Sequence, residues 1–167
     1  YQDNLIVHHD PYHKGIKLKN LLKYYNHKLI ILNVKEEGLE DKIIEIMKEN
    51  NIKSYFFLDQ SFPFLLKTAK KGEHRCAVRV SEYESLNTAL ALRGLVEWVW
   101  LDIFNNVPIN NEEYKKLKES GFKLCLVSPE LQQFPIKKIK SVQEELKEKR
   151  IQVDAVCTKN PELWTKI

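Results

Sequence analysis

Apolar and polar positions along this chain follow two alternating periods. Lys28–Lys35 (K-L-I-I-L-N-V-K), Ser54–Asp59 (S-Y-F-F-L-D), Arg75–Ser81, Glu97–Phe104 (E-W-V-W-L-D-I-F), Phe122–Ser128 and Gln152–Thr158 are short, almost unbroken apolar runs. Runs of this kind are the mark of strands buried on both faces. Between them apolar residues recur at helical spacing: Leu18, Leu21 and Leu22 within Lys17–Tyr25, Leu39, Ile43, Ile46 and Met47 within Leu39–Asn50, and Ile136, Ile139, Val142 and Leu146 within Ile136–Arg150. Helices are also expected over Phe62–Lys71, where Pro63 suits a first turn and Gly72 an end, and over Glu84–Arg93, ending at Gly94. Asn110 or Asn111 caps a further helix that runs through Ser120 and closes at Gly121. A turn of helix from Pro161 to Ile167 ends the pattern. Ahead of it all, Asn4–Pro11 (N-L-I-V-H-H-D-P) reads as a short strand of Leu5, Ile6 and Val7, stopped by Pro11.

Strands separated by helices of about ten residues predict a parallel sheet with right-handed crossovers, in an α/β fold. A doubly wound open sheet and a (β/α)8 TIM barrel both meet that description. No glycine-rich phosphate loop follows any strand, which weakens the nucleotide-binding version of the open sheet. Alternation along the strands favours the barrel. It turns Ile30, Leu32, Val34, Phe56, Leu58, Cys76, Val78, Val80, Val99, Leu101 and Ile103 toward the helices. It turns Asn33, Lys35, Asp59, Arg79, Ser81, Trp100 and Asp102 inward, and Ser128 and Thr158 end the last two strands in the same way. Polar inward residues at carboxyl strand ends are where barrel enzymes build their sites. Only six parallel strands follow the opening one. The chain enters a strand within four residues of Tyr1, so a barrel lacking its first two strands is expected, as one domain over residues 1–167.

Composition narrows the class without naming it. Of 167 residues 43% are hydrophobic and 30% charged, the balance of a globular chain rather than a disordered or membrane one. The net charge of +4 comes from lysines interleaved with 23 acidic residues, which gives no nucleic-acid patch. No apolar run is long enough to span a bilayer and no signal peptide opens the chain. Cys76, Cys125 and Cys157 lie in separate apolar runs without metal-ligand spacing. Three buried, reduced thiols and a cytoplasmic location are therefore expected.

The candidate chemistry starts at the histidine tip. His8, His9 and Asp10 follow a strand directly, so proton-transfer and metal-ligating groups stand where a site can form; a solvated, histidine-rich turn is the plainer reading. Lys35 and Arg79 lie on the inward face and can bind an anion, or pair with Asp59 and Asp102 as structural salt bridges. His8 and His13 read as exposed neighbours. Glu82, Tyr83 and Glu84 line a site mouth or form a polar loop, and Trp98, Trp100 and Trp164 read first as packing residues.

These segments together resemble a known family. V-H-H-D-P resembles the His-Asp-Pro segment of glycerophosphodiester phosphodiesterases and the related phosphatidylinositol-cleaving phospholipases. L-I-I-L-N-V-K-E-E-G-L, Y-F-F-L-D-Q-S-F-P, R-V-S-E-Y-E and V-W-L-D-I-F are similar to a bacterial branch of that family, and D-A-V-C-T-K-N-P to its final strand. The resemblance covers most of Leu5–Trp164. It implies a TIM barrel and metal-assisted hydrolysis of a glycerol- or sugar-linked phosphodiester, a small-molecule substrate. His9 takes the place of the acid that protonates the leaving alkoxide, Asp10 supports it, and Lys35 stabilises phosphate charge. Arg79, Asp102 and Trp100 would line the substrate. Asn33 stands where the family's third ligand to Mg²⁺ or Ca²⁺ is usually glutamate, so metal binding should be weak. The His-Arg-Gly segment and the Glu-x-Asp metal pair of the family are not in this sequence, and Thr158-Lys159 replaces Thr-Asp. A barrel of the same descent that binds a phosphoryl ligand without cleaving it is the alternative.

Overall fold

Every one of the six long apolar runs forms a strand that pairs in parallel, as a computed structural model describing residues 5–10 and 13–165 establishes. Pro11, and the end of the turn at Lys166 and Ile167, lie outside the described residues. The chain divides into two units, residues 1–68 and 69–167.

In the first unit, β1 (Ile6–Val7) is joined antiparallel to β2 (Ile16–Lys17), a partner that the apolar pattern did not disclose. The ribbon closes tightly at Gly15. A Cβ there would meet the Val7 carbonyl oxygen at 2.3 Å, closer than any real contact, so only glycine fits. Helix α1 (Leu18–Leu22) follows and buries Leu18 and Leu22. Next, β3 (Ile30–Asn33) runs parallel to β4 (Tyr55–Leu58), joined through α2 (Glu40–Glu49). The apolar face of α2 is Ile43, Ile46 and Met47, as its spacing predicts, with Leu39 just outside the helix. Glu40 is also buried, because its carboxylate accepts the Gly38 N–H and the Gln60 amide, both at 3.1 Å.

The β3–β4 register corrects one expectation about faces. Asn33 lies beside Leu58 and Ile31 beside Phe56, and neighbours in a parallel ladder share a face. Phe56 and Leu58 therefore point with Asn33 rather than with Ile30 and Leu32. Asp59 explains the slip: its φ of 60° ends the two-residue alternation at Leu58. Its carboxylate still reaches Asn33.

Helix α3 (Phe62–Lys70) leads into the second unit, a four-stranded parallel sheet in the order β5–β6–β7–β8. The strands are β5 (Ala77–Val80), β6 (Trp98–Leu101), β7 (Lys123–Val127) and β8 (Ala155–Cys157). Their crossovers carry α4 (Leu86–Ala91), α5 (Asn111–Glu119) and α6 (Lys138–Glu148). Ser85 caps α4 through the Asn87 N–H, and Asn110 caps α5 in a reciprocal box with Glu113. Val78, Val80, Val99, Leu101, Leu124 and Leu126 are buried on one face of the sheet, and Leu117, Ile139, Val142 and Leu146 of the helices are buried as well. Each such side chain contributes about 1.5–3 kcal/mol by leaving water. Ile136, expected inside, is exposed, because α6 begins only at Lys138 and Ile136 precedes its first turn.

The register aligns Arg79, Trp100, Cys125 and Ala155 across the sheet. Two residues further on, Val127 and Cys157 share that face. Ser128 and Thr158 lie one residue past their strands and do not continue it, which corrects their expected place on the inward row. The cysteines are free; Cys76 and Cys125 are buried, whereas Cys157 is half-buried. Among the described residues no helix is long and apolar enough to cross a membrane.

Candidate functional site

The sequence-predicted residues fall into three clusters, two in the first unit and one in the second. At the end of β1 the chain bends, and His8, His9 and Asp10 are all exposed. His9 Nδ1 meets the Asp10 carboxylate at 2.9 Å. A carboxylate oxygen only accepts, so Nδ1 carries a proton and Nε2 is the ring's reactive nitrogen. The His9 side chain is 89% exposed, open to a ligand. The hydrogen bond from His9 holds the Asp10 carboxyl below its ordinary value of 3.8. His8 takes no part in that pair. Its Nδ1 accepts the Asp10 backbone N–H at 3.0 Å, and its ring stacks on His13 with centroids 4.9 Å apart. His8 therefore braces the bend in which His9 and Asp10 meet.

The second cluster stands at the carboxyl ends of β3 and β4. Asp59 Oδ2 accepts the Asn33 amide at 2.9 Å and the Lys35 ammonium at 3.1 Å. Asn33 and Lys35 are exposed and Asp59 is half-buried. Lys35 thus has an acidic partner while keeping solvent access, which suits a charge that can be shared with an incoming anion. Asn33 Oδ1 and the Asp59 carboxylate are oxygen donors of the type that hard divalent cations take. Lys35 competes for the same carboxylate, so the pair fits such an ion loosely. Among the described residues no group of three His, Cys, Asp or Glu side chains converges as a metal site.

The third cluster occupies the carboxyl ends of β5 to β8. Asp102, 1% exposed, accepts from the Arg79 guanidinium on one oxygen and from Gln132 Nε2 at 2.5 Å on the other. A buried carboxylate needs this partnering, since an unpaired charge there is costly. Arg79 also lies 3.6 Å from Glu84, whose other oxygen accepts the Ser81 hydroxyl at 2.8 Å. Trp100 is buried beside Arg79 in the sheet. Trp164 is buried too, and its Nε1 donates to Ser128 Oγ at 3.0 Å.

Two acidic residues complete this end of the sheet, and the sequence did not single out the first. Glu130 sits in the 3-10 turn Pro129–Gln132 and accepts from the Ser128 hydroxyl, from Thr158 Oγ1 at 2.5 Å and from the Lys159 N–H at 3.0 Å. Burial alone would raise its pKa, but these donors outweigh it and hold the carboxyl below 4.5. Glu82 accepts backbone N–H groups from Phe104, Asn105 and Asn106 at 3.1, 2.6 and 2.9 Å. Again burial raises and the backbone donors lower, with a net fall below 4.5. Cys157 feels the same surroundings in reverse: burial first, then Glu130 and Asp102, push its thiol up and keep it neutral. The P-E-L-Q stretch after β7 offered a turn signal in Pro129, but nothing in it marked Glu130 and Gln132 as partners of distant strand ends.

No family model matches this chain, and no curated protein matches it.

Proposed function

We propose that this protein hydrolyses a glycerol- or sugar-linked phosphodiester, with His9 as the general acid. The observation that carries the reading is the His9–Asp10 pair: Nδ1 is held at 2.9 Å while the ring stays open to solvent. In the imidazolium form, Nε2–H gives its proton to the leaving alkoxide as water attacks phosphorus and the P–O bond breaks. Asp10 stabilises that cation and fixes the ring's orientation. Lys35, shared with Asp59, supplies positive charge to the non-bridging oxygens. Mg²⁺ or Ca²⁺, held by Asn33 and Asp59, would add to that charge. The architecture that belongs with this reading is a (β/α)8 barrel, supported by six strands in parallel pairings with helices between consecutive strands. A cytoplasmic location fits the free cysteines.

A second reading, binding of a phosphoryl ligand without cleavage, is favoured by one specific observation. Asn33 offers only a neutral amide oxygen where the resembled family usually has glutamate, and Asp59 is shared with Lys35, so little charge is left to hold a catalytic metal. The test is hydrolysis of glycerophosphocholine and of bis(4-nitrophenyl) phosphate by the whole encoded protein, with Mg²⁺, Mn²⁺ or Ca²⁺ present. Release of the alcohol supports the hydrolase. Saturable binding of the diester without release of alcohol or nitrophenol replaces it with the binding protein.

A further inference from the structure

The loop after β6 presents three successive backbone N–H groups, of Phe104, Asn105 and Asn106, to one carboxylate, that of Glu82. Successive amides that converge in this way form a concave anion receptor, independent of any side chain's charge. Its occupant arrives from 22 to 24 residues away in sequence. Glu82 sits in the turn after β5, where Ser81 N–H bonds Glu84 O at 3.2 Å and Glu84 N–H bonds Ser81 O at 3.3 Å. That turn holds itself closed through its own backbone, so the carboxylate can leave the loop without opening the sheet. Glu82 is also exposed, and on leaving it regains water rather than becoming a buried, unpaired charge. The neighbouring charges are accounted for separately: Asp102 by Arg79 and Gln132, Glu84 by Ser81.

We propose that the 104–106 loop is a phosphoryl-binding nest for which Glu82 is a built-in, displaceable stand-in. The ligand class follows from the competition. Glu82 is tethered, so its effective concentration at the nest is high, and a free carboxylate with the same single charge cannot compete with it. A phosphate monoester brings a charge of about −1.5 to −2 and three acceptor oxygens, which meets three N–H donors one for one. Nothing in this proposal depends on phosphodiester hydrolysis. A chain that cleaves nothing still carries the nest, and hydrolysis by His9 is compatible with a nest permanently closed by Glu82.

The test is amide NMR of the full chain titrated with inorganic phosphate, with acetate as the comparison anion. In Glu82→Gln the Phe104, Asn105 and Asn106 amide signals shift and saturate, at a phosphate Kd at least about tenfold below that of the unsubstituted protein. Acetate moves them less in both. Equal Kd values, or shifts that map elsewhere, overturn the proposal. Should Glu82→Gln not fold, the unsubstituted protein decides. Phosphate must then move the Glu82 side-chain carboxyl signal together with the three amides, because both compete for the same donors. Amides that move without Glu82, or no movement at all, reject it.

Discussion

Removing the guanidinium from Asp102 should be the costliest single change in the second unit outside its apolar core. Asp102 is 1% exposed, and in Arg79→Met it keeps only the Gln132 amide as a described hydrogen-bond partner. Losing one partner of a fully buried pair costs about 3–5 kcal/mol, because the other charge is left uncompensated. Here the Arg79 side chain retains 31% exposure, so water screens part of the pair and the expected loss falls to about 2–4 kcal/mol. Asp102→Asn keeps the shape and the Gln132 bond. It leaves Arg79 near water and 3.6 Å from Glu84, for a loss of about 1–2 kcal/mol. The double replacement Arg79→Met with Asp102→Asn removes both charges, and its loss should fall short of the sum of the singles by about 1–3 kcal/mol. Urea unfolding followed by tryptophan fluorescence reads this directly, since Trp98, Trp100 and Trp164 all belong to that unit. Single-substitution losses under about 0.5 kcal/mol at constant slope, or strict additivity in the double, would refute the reasoning.

Three further outcomes follow from the same geometry. Gly15→Ala pushes a methyl group onto the Val7 carbonyl and should weaken the β1–β2 ribbon by about 1–3 kcal/mol, read as faster hydrogen exchange at the Leu18 amide that bonds Leu5 O; unchanged exchange contradicts it. Glu130 has a folded pKa below the ordinary 4.5, so its contribution is complete above that value and drains as the pH falls through the lowered one. Glu130→Gln should therefore flatten the acid limb of the stability–pH curve below about pH 4.5, and an unchanged limb on urea melts removes the carboxylate from the account. Calorimetry with Mg²⁺ or Ca²⁺ should give an affinity weaker than micromolar, since Asn33 and a lysine-bound Asp59 are loose donors; tighter binding would mean ligands other than these.

What was legible in the sequence was the rhythm of long apolar runs. Six strands begin within three residues of where their runs do, and the Asn110 cap is visible because Glu113 answers it three residues later. The antiparallel ribbon was not legible. Ile16–Lys17 is too short to show a period, and only the close approach of Gly15 to Val7 explains why it pairs there. Strand faces were read correctly for Arg79 and Trp100, which continue a regular ladder. They were misread for Phe56 and Leu58, because counting back from Asp59 assumes extended backbone where Asp59 is left-handed. Glu130 and Glu40 were invisible for a different reason. Each is an ordinary turn or first-turn acid until distant donors, Thr158 or Gln60, are brought to it by the fold.

The central claim is that His9 is a general acid, and leaving-group dependence tests it most directly. An acid must protonate an alkoxide but contributes little to a nitrophenolate, so the loss in His9→Ala must depend on the leaving group. Steady-state kinetics of the whole encoded protein should show kcat on an alkyl phosphodiester falling by about 10²- to 10⁴-fold in His9→Ala, with KM little changed and a much smaller fall on the nitrophenyl diester. His8→Ala, which removes only the brace on the bend, should cost less than His9→Ala on the alkyl ester. Equal losses on the two esters, or equal effects of the two histidine substitutions, would contradict the assignment of His9.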